Sequence, residues 1–142
     1  MIVTADGITV NPWSYNQQLD KITVAEGKTV TVQSNPATSD YGWNGEPRIS
    51  EIAGLGNTGA TVTVQGADAL KNMTAISNVK IMGAAVDLKV TSEIFTKTTF
   101  NTKSVVLSAP TMTDSTFATI NVDAADKSYA FSGFTSVPIR FP

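Results

Sequence analysis

Residues 21–33 read KITVAEGKTVTVQ and contain the clearest strand pattern in the chain. In both ITV (22–24) and TVTV (29–32), apolar residues alternate with polar ones, so each run can bury one face of a strand. The four residues between the runs include Gly27, and a short connection that contains glycine is typical of a β-hairpin. This stretch therefore predicts two strands joined as a hairpin.

The same alternation recurs along the rest of the chain and makes it mainly β. A short strand is also expected at residues 7–10. No stretch is patterned as a helix of normal length, although residues 67–73 could form one or two helical turns. The alternating apolar positions are Val62 and Val64, Val79 and Ile81, Val86, Leu88 and Val90, Val105 and Leu107, Ile120 and Val122, and Val137, Ile139 and Phe141. We expect an irregular, leucine-rich-repeat-like β-solenoid or a compact β-sandwich with an N-terminal β-hairpin module.

The composition changes near residue 47. Residues 34–47 hold two prolines, two glycines and several Asn or Asp residues, which argue for a loop. Both tryptophans precede residue 44, whereas all six phenylalanines follow residue 94. We predict an N-terminal strand and hairpin module over 1–47, used for attachment or capping, and a β-rich module of irregular strand-turn units over 48–142.

The charge pattern argues against nucleic acid and membrane partners. Charged residues make up 15% of the chain, the net charge is −2, and the ten basic residues are scattered. A nucleic-acid binder would carry a basic stripe, and no apolar run is long enough to cross a bilayer. Residues 1–6 lack the features of a secretory signal, so we expect assembly in a cytoplasm or earlier removal of a leader.

The chain contains neither cysteine nor histidine. It therefore lacks thiol nucleophiles, the commonest general base and the commonest transition-metal ligands. Paired carboxylates could in principle hydrolyse a glycosidic bond, and Glu46 with Glu51, or Asp123 with Asp126, are the nearest pairs. Loop carboxylates at such spacing are more often solvated or capping groups. We expect no enzyme activity, no cofactor and no metal.

Two segments, 69–82 and 130–142, resemble the BspA-like leucine-rich repeat, whose units run roughly AF-x-G/N-C-x-x-L-x-x-I-x-I-P. The apolar residues that close the successive units lie 26, 15 and 19 residues apart, which departs from a constant period; they are Ile81, Leu107, Val122 and Phe141. The family cysteines are replaced by Met73 and Phe134. The resemblance implies a short β-solenoid used for adhesion at a cell or virion surface. The matching residues are Ala69, Leu70, Asn72, Met73, Ile76, Val79 and Ile81, then Ala130, Phe131, Gly133, Phe134, Val137, Ile139, Phe141 and Pro142.

The chain also resembles the accessory head and fibre proteins of tailed bacteriophages in general style. It is small, rich in Thr and Asn, and free of Cys and His. The resemblance implies a virion surface location, with an extracellular location as the alternative. It also implies other virion proteins as partners.

Two aromatic clusters are candidate sites. Tyr41, Trp43, Asn44 and Glu46 lie in one loop, where the rings could stack on a sugar and the polar groups could bind its hydroxyls. Alternatively, Trp43 plugs the end of the core or a subunit contact. For Trp13 and Tyr15 we favour an assembly contact, because aromatic residues are enriched in interface cores.

Three functional classes follow from the sequence. The chain is expected to be a non-enzymatic virion surface component, such as a capsid decoration, a head fibre or part of a tail fibre. The alternatives are a carbohydrate- or receptor-binding module and a secreted bacterial leucine-rich-repeat adhesin. Because exposed strand edges favour pairing between subunits, we also expect a homo-oligomer, with a trimer favoured. A cell-surface glycan remains a possible ligand.

Overall fold

A computed structural model describes residues 1–12, 20–33, 49–71, 73–90, 92–107, 120–122, 128–131 and 139–140. These residues contain eleven β-strands and no helix. The prediction of a mainly β protein is confirmed. The strands are β1 (Ile2–Val3), β2 (Ile8–Val10), β3 (Lys21–Val24), β4 (Thr29–Val32), β5 (Glu51–Gly54), β6 (Ala60–Val64), β7 (Met73–Val90), β8 (Ser92–Leu107), β9 (Ile120–Val122), β10 (Ser128–Phe131) and β11 (Ile139–Arg140).

All the ladders between described strands are parallel, and they form one nearly closed sheet. β3 pairs with β1 and β5, whereas β4 pairs with β2 and β6. Strands that follow each other in the first part of the chain are therefore not neighbours in the sheet. Paired residues lie between 17 positions apart in sequence, as for Asp87 and Ser104, and 32 apart, as for Thr29 and Thr61.

The ladders define three rows of stacked strands. The first row contains β1, β3 and β5, then residues 73–77 of β7 and 92–96 of β8. The second row contains β2, β4, β6, residues 79–83 of β7, residues 98–102 of β8, β9 and β11. The third row contains residues 87–90 of β7, residues 104–107 of β8, and β10.

The predicted hairpin over residues 21–33 is wrong, although both of its strands are present as β3 and β4. The connection between them places β3 in the first row and β4 in the second. Gly27 has a φ of +71° in this connection, and its N–H donates to the carbonyl oxygen of Gly59 at 2.8 Å. The turn is thus bonded to the turn between β5 and β6, and it does not return the chain along β3.

The core lies along the inward side of the rows. Val30, Val62, Ile81 and Phe100 occupy one continuous line of register partners in the second row, and all four are fully buried. The alternation predicted for β4 and β6 is confirmed by their burial. Because each side chain packs on the one in the next strand, the stack removes apolar area from water along its whole length.

The apolar residues of the segment 70–81 are also buried. Their spacing of three, closed by a step of two from Val79 to Ile81, predicts a helical or 3₁₀ turn that runs into a strand. Residues 66–71 do form turns, whereas Ile76 and Val79 lie within β7 on either side of Asn78. Asn78 has a φ of +54°, so the strand bends there, and Ile76 and Val79 both point inward. The predicted domain boundary near residue 47 lies outside the described residues and stays a prediction.

Candidate functional surfaces

The residues singled out as candidate sites from the sequence lie outside the described part of the chain, apart from one carboxylate. The unplaced residues are Trp13, Tyr15, Tyr41, Trp43, Asn44, Glu46, Asp123 and Asp126. Glu51 is described, and its Oε2 lies 3.2 Å from Nζ of Lys21. The two residues are direct register partners on β3 and β5, so Glu51 forms an ion pair between neighbouring strands.

The outward side of the second row is a threonine face. Thr9, Thr31 and Thr63 are register partners on β2, β4 and β6, and Thr29 and Thr61 form a second line beside them. Neighbouring strands lie about 4.8 Å apart and alternate residues about 6.6 Å apart, so these hydroxyls form a regular array. The repeated sequence TVTV is the signal for this face. Its alternation predicts the buried side of each strand, whereas the stacking of the two copies depends on long-range pairing.

The outward side of the first row, hereafter the first-row face, is made of small side chains flanked by apolar ones. Thr23, Ala53 and Ser77 are register partners and are all partly exposed. Ile2 and Leu55 are 71% and 47% exposed, and Leu55 extends the ladder because its N–H donates to the carbonyl oxygen of Val24 at 2.9 Å. The first-row face is therefore the more apolar of the two.

Carboxylates connect successive bends between the first and second rows. Oδ1 of Asp6 accepts a hydrogen bond from the N–H of Thr29 at 2.9 Å. Oε1 of Glu26 accepts from the N–H of Thr58 at 2.9 Å and from its hydroxyl at 3.1 Å. The backbone and then the side-chain bond from Thr58, with a smaller contribution from the N–H of Asn57, lower the pKa of Glu26. Both carboxylates act as turn acceptors.

The side-chain amide of Asn78 connects β7 to the turn that follows β5, but as a hydrogen-bond donor. Nδ2 of Asn78 donates to the carbonyl oxygens of Gly54 at 2.9 Å and Gly56 at 2.8 Å. It thereby satisfies two carbonyls of the turn that follows β5. In the sequence, Asp6, Glu26 and Asn78 are polar residues of the kind found in any turn, so nothing there indicates that they bond to a neighbouring turn or strand.

Within the described ranges, no group of three or more acidic side chains is placed to hold a metal ion. No helix long and apolar enough to cross a membrane occurs there either. Comparison of the chain with protein-family models, curated proteins and solved structures finds no match.

Proposed function

We propose that the chain is a non-enzymatic structural or adhesive protein on the surface of a bacteriophage virion, as a capsid decoration, a head fibre or part of a tail fibre. The observation that carries the proposal is the continuous parallel ladder of the second row, in which β2, β4 and β6 present an array of threonine hydroxyls. Such a face suits binding by shape and contact over an extended area. The bacteriophage setting rests on the composition and on the absence of Cys and His.

We further infer that the fold is an irregular β-solenoid. In support, each of the strands β1 to β5 pairs in parallel with the strand two elements further along the chain, and the intervening residues connect one row to the other. Sandwiches are built mainly from antiparallel sheets, so parallel ladders favour the solenoid. The sequence separation of partners varies between 17 and 32, which accounts for the lack of a constant repeat.

A structural role is supported by the ways in which polar side chains are used. The carboxylates of Asp6 and Glu26 accept backbone hydrogen bonds, and that of Glu51 pairs with Lys21. The sequence offers no imidazole or thiol to activate a nucleophile. The three carboxylates therefore connect neighbouring strands and turns of the sheet. We propose that the function is binding, through assembly with further copies and with other virion proteins.

The virion proposal is tested on particles made by the host of the gene. Particles purified through a density gradient are analysed by quantitative mass spectrometry, with a major capsid protein as the reference. We expect a fixed number of copies per particle that persists after a high-salt wash. Recovery of the chain only in the soluble fraction would contradict a virion role.

A carbohydrate- or receptor-binding module is the second candidate, because Tyr41 and Trp43 stand close in sequence to the polar residues Asn44 and Glu46. A glycan array probed with the wild type, Trp43→Ala and the matched control Trp13→Ala tests it. Binding that is lost only in Trp43→Ala would support a glycan site. Glycan turnover that disappears when one carboxylate is neutralised would contradict both candidates. A secreted leucine-rich-repeat adhesin would bind cells and be absent from particles.

A further inference from the structure

We propose that the first-row face is a self-association surface, on which a second copy of the chain packs its own first-row face around a two-fold axis. This inference rests on the homo-oligomer part of the proposed function and names the surface involved. The face consists of the outward residues of β1, β3, β5 and the first part of β7, together with the residues that directly follow β3 and β5. These are Ile2, Lys21, Thr23, Ala25, Glu51, Ala53, Leu55, Ala75 and Ser77.

The exposed apolar side chains are concentrated here. Among the described residues, three large hydrophobic side chains are exposed, and they are Met1 at 49%, Ile2 at 71% and Leu55 at 47%. Met1 and Ile2 lie at β1, and Leu55 follows β5, so all three border the first row. Burial of apolar surface is the main favourable term in protein association. The threonine face of the second row has no comparable side chain among its described residues.

The centre of the face allows close approach. Thr23, Ala53 and Ser77 lie side by side across three strands, and Ala75 precedes them in the next line of partners. Small side chains of this kind leave the sheet nearly flat, so a second sheet can pack without displacing long side chains. Sheets pack face to face at about 10 Å when their side chains fit together.

The charges on the face favour a second copy. Lys21 and Glu51 are its two charged residues, and they form one ion pair with Nζ to Oε2 at 3.2 Å. The side chains of the face therefore carry no net charge, and the N-terminal ammonium group of Met1, which donates to the carbonyl oxygen of Lys21 at 2.8 Å, lies at its edge. In an isologous contact, residue i of one copy meets residue j of the other and the reverse, so each Lys21 can lie beside the Glu51 of the second copy. Such an arrangement places opposite charges together twice and like charges nowhere.

The size of the face sets the expected strength. Four strands at about 4.8 Å and about five residues along each strand give roughly 300 Å² per copy. Stable complexes bury about 800 Å² per partner. The contact is therefore weak on its own, and it becomes important where copies are held at high local concentration, as on a particle surface.

Charge reversal separates this contact from a folding effect. Lys21→Glu makes the face acidic, and Glu51→Lys makes it basic, so each variant repels its own copies. An equimolar mixture brings an acidic face to a basic one. Sedimentation equilibrium of the full chain up to about 500 µM, a range chosen for a small interface, should give a species near 30 kDa for the wild type, twice the 15.0 kDa chain.

We expect each single variant to weaken self-association at least about tenfold, and the equimolar mixture to recover 1:1 pairs. Leu55→Ser should weaken it with no change in charge. Lys80→Glu is the matched control, because Lys80 is exposed on the second-row face. Circular dichroism of each variant verifies the fold, and a variant that does not fold is replaced by Leu55→Ser in the comparison.

A wild type that stays monomeric over this range, or a Lys80→Glu variant that dissociates as much as Lys21→Glu, would overturn the inference. A species near three times the chain mass that is insensitive to Lys21→Glu would also overturn it, while leaving the proposed homo-oligomer intact. Loss of the chain from particles is a separate result, which bears on the proposed function and not on this surface.

Discussion

The chain passes from the first row to the second in two different ways. Three turns connect β1 to β2, β3 to β4 and β5 to β6, and each contains a glycine with positive φ. These turns comprise residues 4–7, 25–28 and 55–59. In β7 and β8, the strand continues through the bend, and one residue, Asn78 or Lys97, takes the left-handed conformation at +54° or +45°. The same change of row is thus built from a glycine turn or from a single strained residue.

The two kinds of bend differ in how they accommodate the free-energy cost of a positive φ. Glycine takes positive φ readily because it has no Cβ, so the early turns need no compensation at that position. A residue with a side chain is disfavoured there by roughly 1–2 kcal/mol. Asn78 offsets this cost with two hydrogen bonds to the turn before it. The continuous strands are therefore held by the contacts around the bend, whereas the early bends are held by the turn itself.

The largest expected effect tests whether the core holds the continuous strands. In β8 the second-row ladder begins at Thr98, directly after the bend at Lys97. Phe100 lies two residues further on and is fully buried. Phe100→Ala should lower the free energy of unfolding by about 3–5 kcal/mol, because it removes apolar contacts and leaves a cavity. Thr99→Ala, on the outward side, should cost less than about 1 kcal/mol. Urea unfolding measures both, and equal costs would contradict the inward assignment of Phe100.

A pair of alanine substitutions compares two glycine turns. A Cβ at Gly59 would overlap the carbonyl oxygen of Asn78, whereas a Cβ at Gly27 meets nothing within 4 Å. Both residues have positive φ. Gly27→Ala should therefore cost about 1–2 kcal/mol from the backbone alone, and Gly59→Ala should cost at least about 1 kcal/mol more because the two bends must separate. Similar melting temperatures for the two variants would show that the bends are not in contact.

One substitution should have opposite effects at the two single-residue bends. Lys97→Gly removes the steric cost of positive φ and should stabilise the protein by about 0.5–1 kcal/mol, after the entropy of the new glycine is subtracted. Asn78→Gly removes the same cost but loses two hydrogen bonds, and should destabilise it by about 1 kcal/mol. Thermal unfolding under identical conditions gives both signs. Stabilisation by Asn78→Gly would contradict the bonding role of its amide.

The smallest expected effect is a pH dependence in the glycine turns. The pKa of Glu26 is lowered from 4.5 by its bonds from Thr58. A lowered pKa in the folded state adds stability above the unfolded value, and this stability is lost as the pH falls through the folded value. The wild type should thus exceed Glu26→Gln in melting temperature at pH 7, and the difference should shrink below pH 4.5. A difference that is independent of pH would rule out the contribution of this carboxylate.

The sequence predicted many of the strands, although not β1, β5 or β10, and it did not predict which strands pair. The alternation in TVTV identifies the buried face of β4 because a period of two is local. Its partner, β6, lies 32 residues away, and no local signal distinguishes a turn that closes a hairpin from one that changes row. Gly27 is compatible with both. The spacing of three between Ile76 and Val79 also fits two structures. It is the spacing of a helical turn, but a strand that bends at Asn78 turns the same two residues toward the core.

The candidate surfaces were harder to predict. Aromatic and carboxylate side chains are the usual sequence signal of a binding site, and Tyr41, Trp43 and Glu46, which are predicted on that basis, lie outside the described residues. The threonine and first-row faces are made of ordinary side chains that gain meaning only from their alignment across strands. Lys21 and Glu51 are 30 residues apart and become neighbours through the β3–β5 register. Such alignment depends on long-range pairing.

In the sheet, β4 stacks in parallel on β6 and does not pair with β3. The chain has no cysteine, so engineered disulfides report this directly. Thr31→Cys with Thr63→Cys joins register partners of β4 and β6, and a spacing of about 4.8 Å suits a disulfide. Thr23→Cys with Thr31→Cys would join β3 to β4 in a hairpin that has Val24 opposite Val30, the register that buries the apolar residues of both strands on one side.

Both double variants are oxidised at low protein concentration, and intramolecular bonds are identified by mass spectrometry of peptides. We predict rapid and nearly complete closure of the Thr31–Thr63 pair, with no loss of thermal stability, and little closure of the Thr23–Thr31 pair. Efficient closure of the Thr23–Thr31 pair in the folded protein, with the Thr31–Thr63 pair remaining reduced, would contradict the parallel stacking.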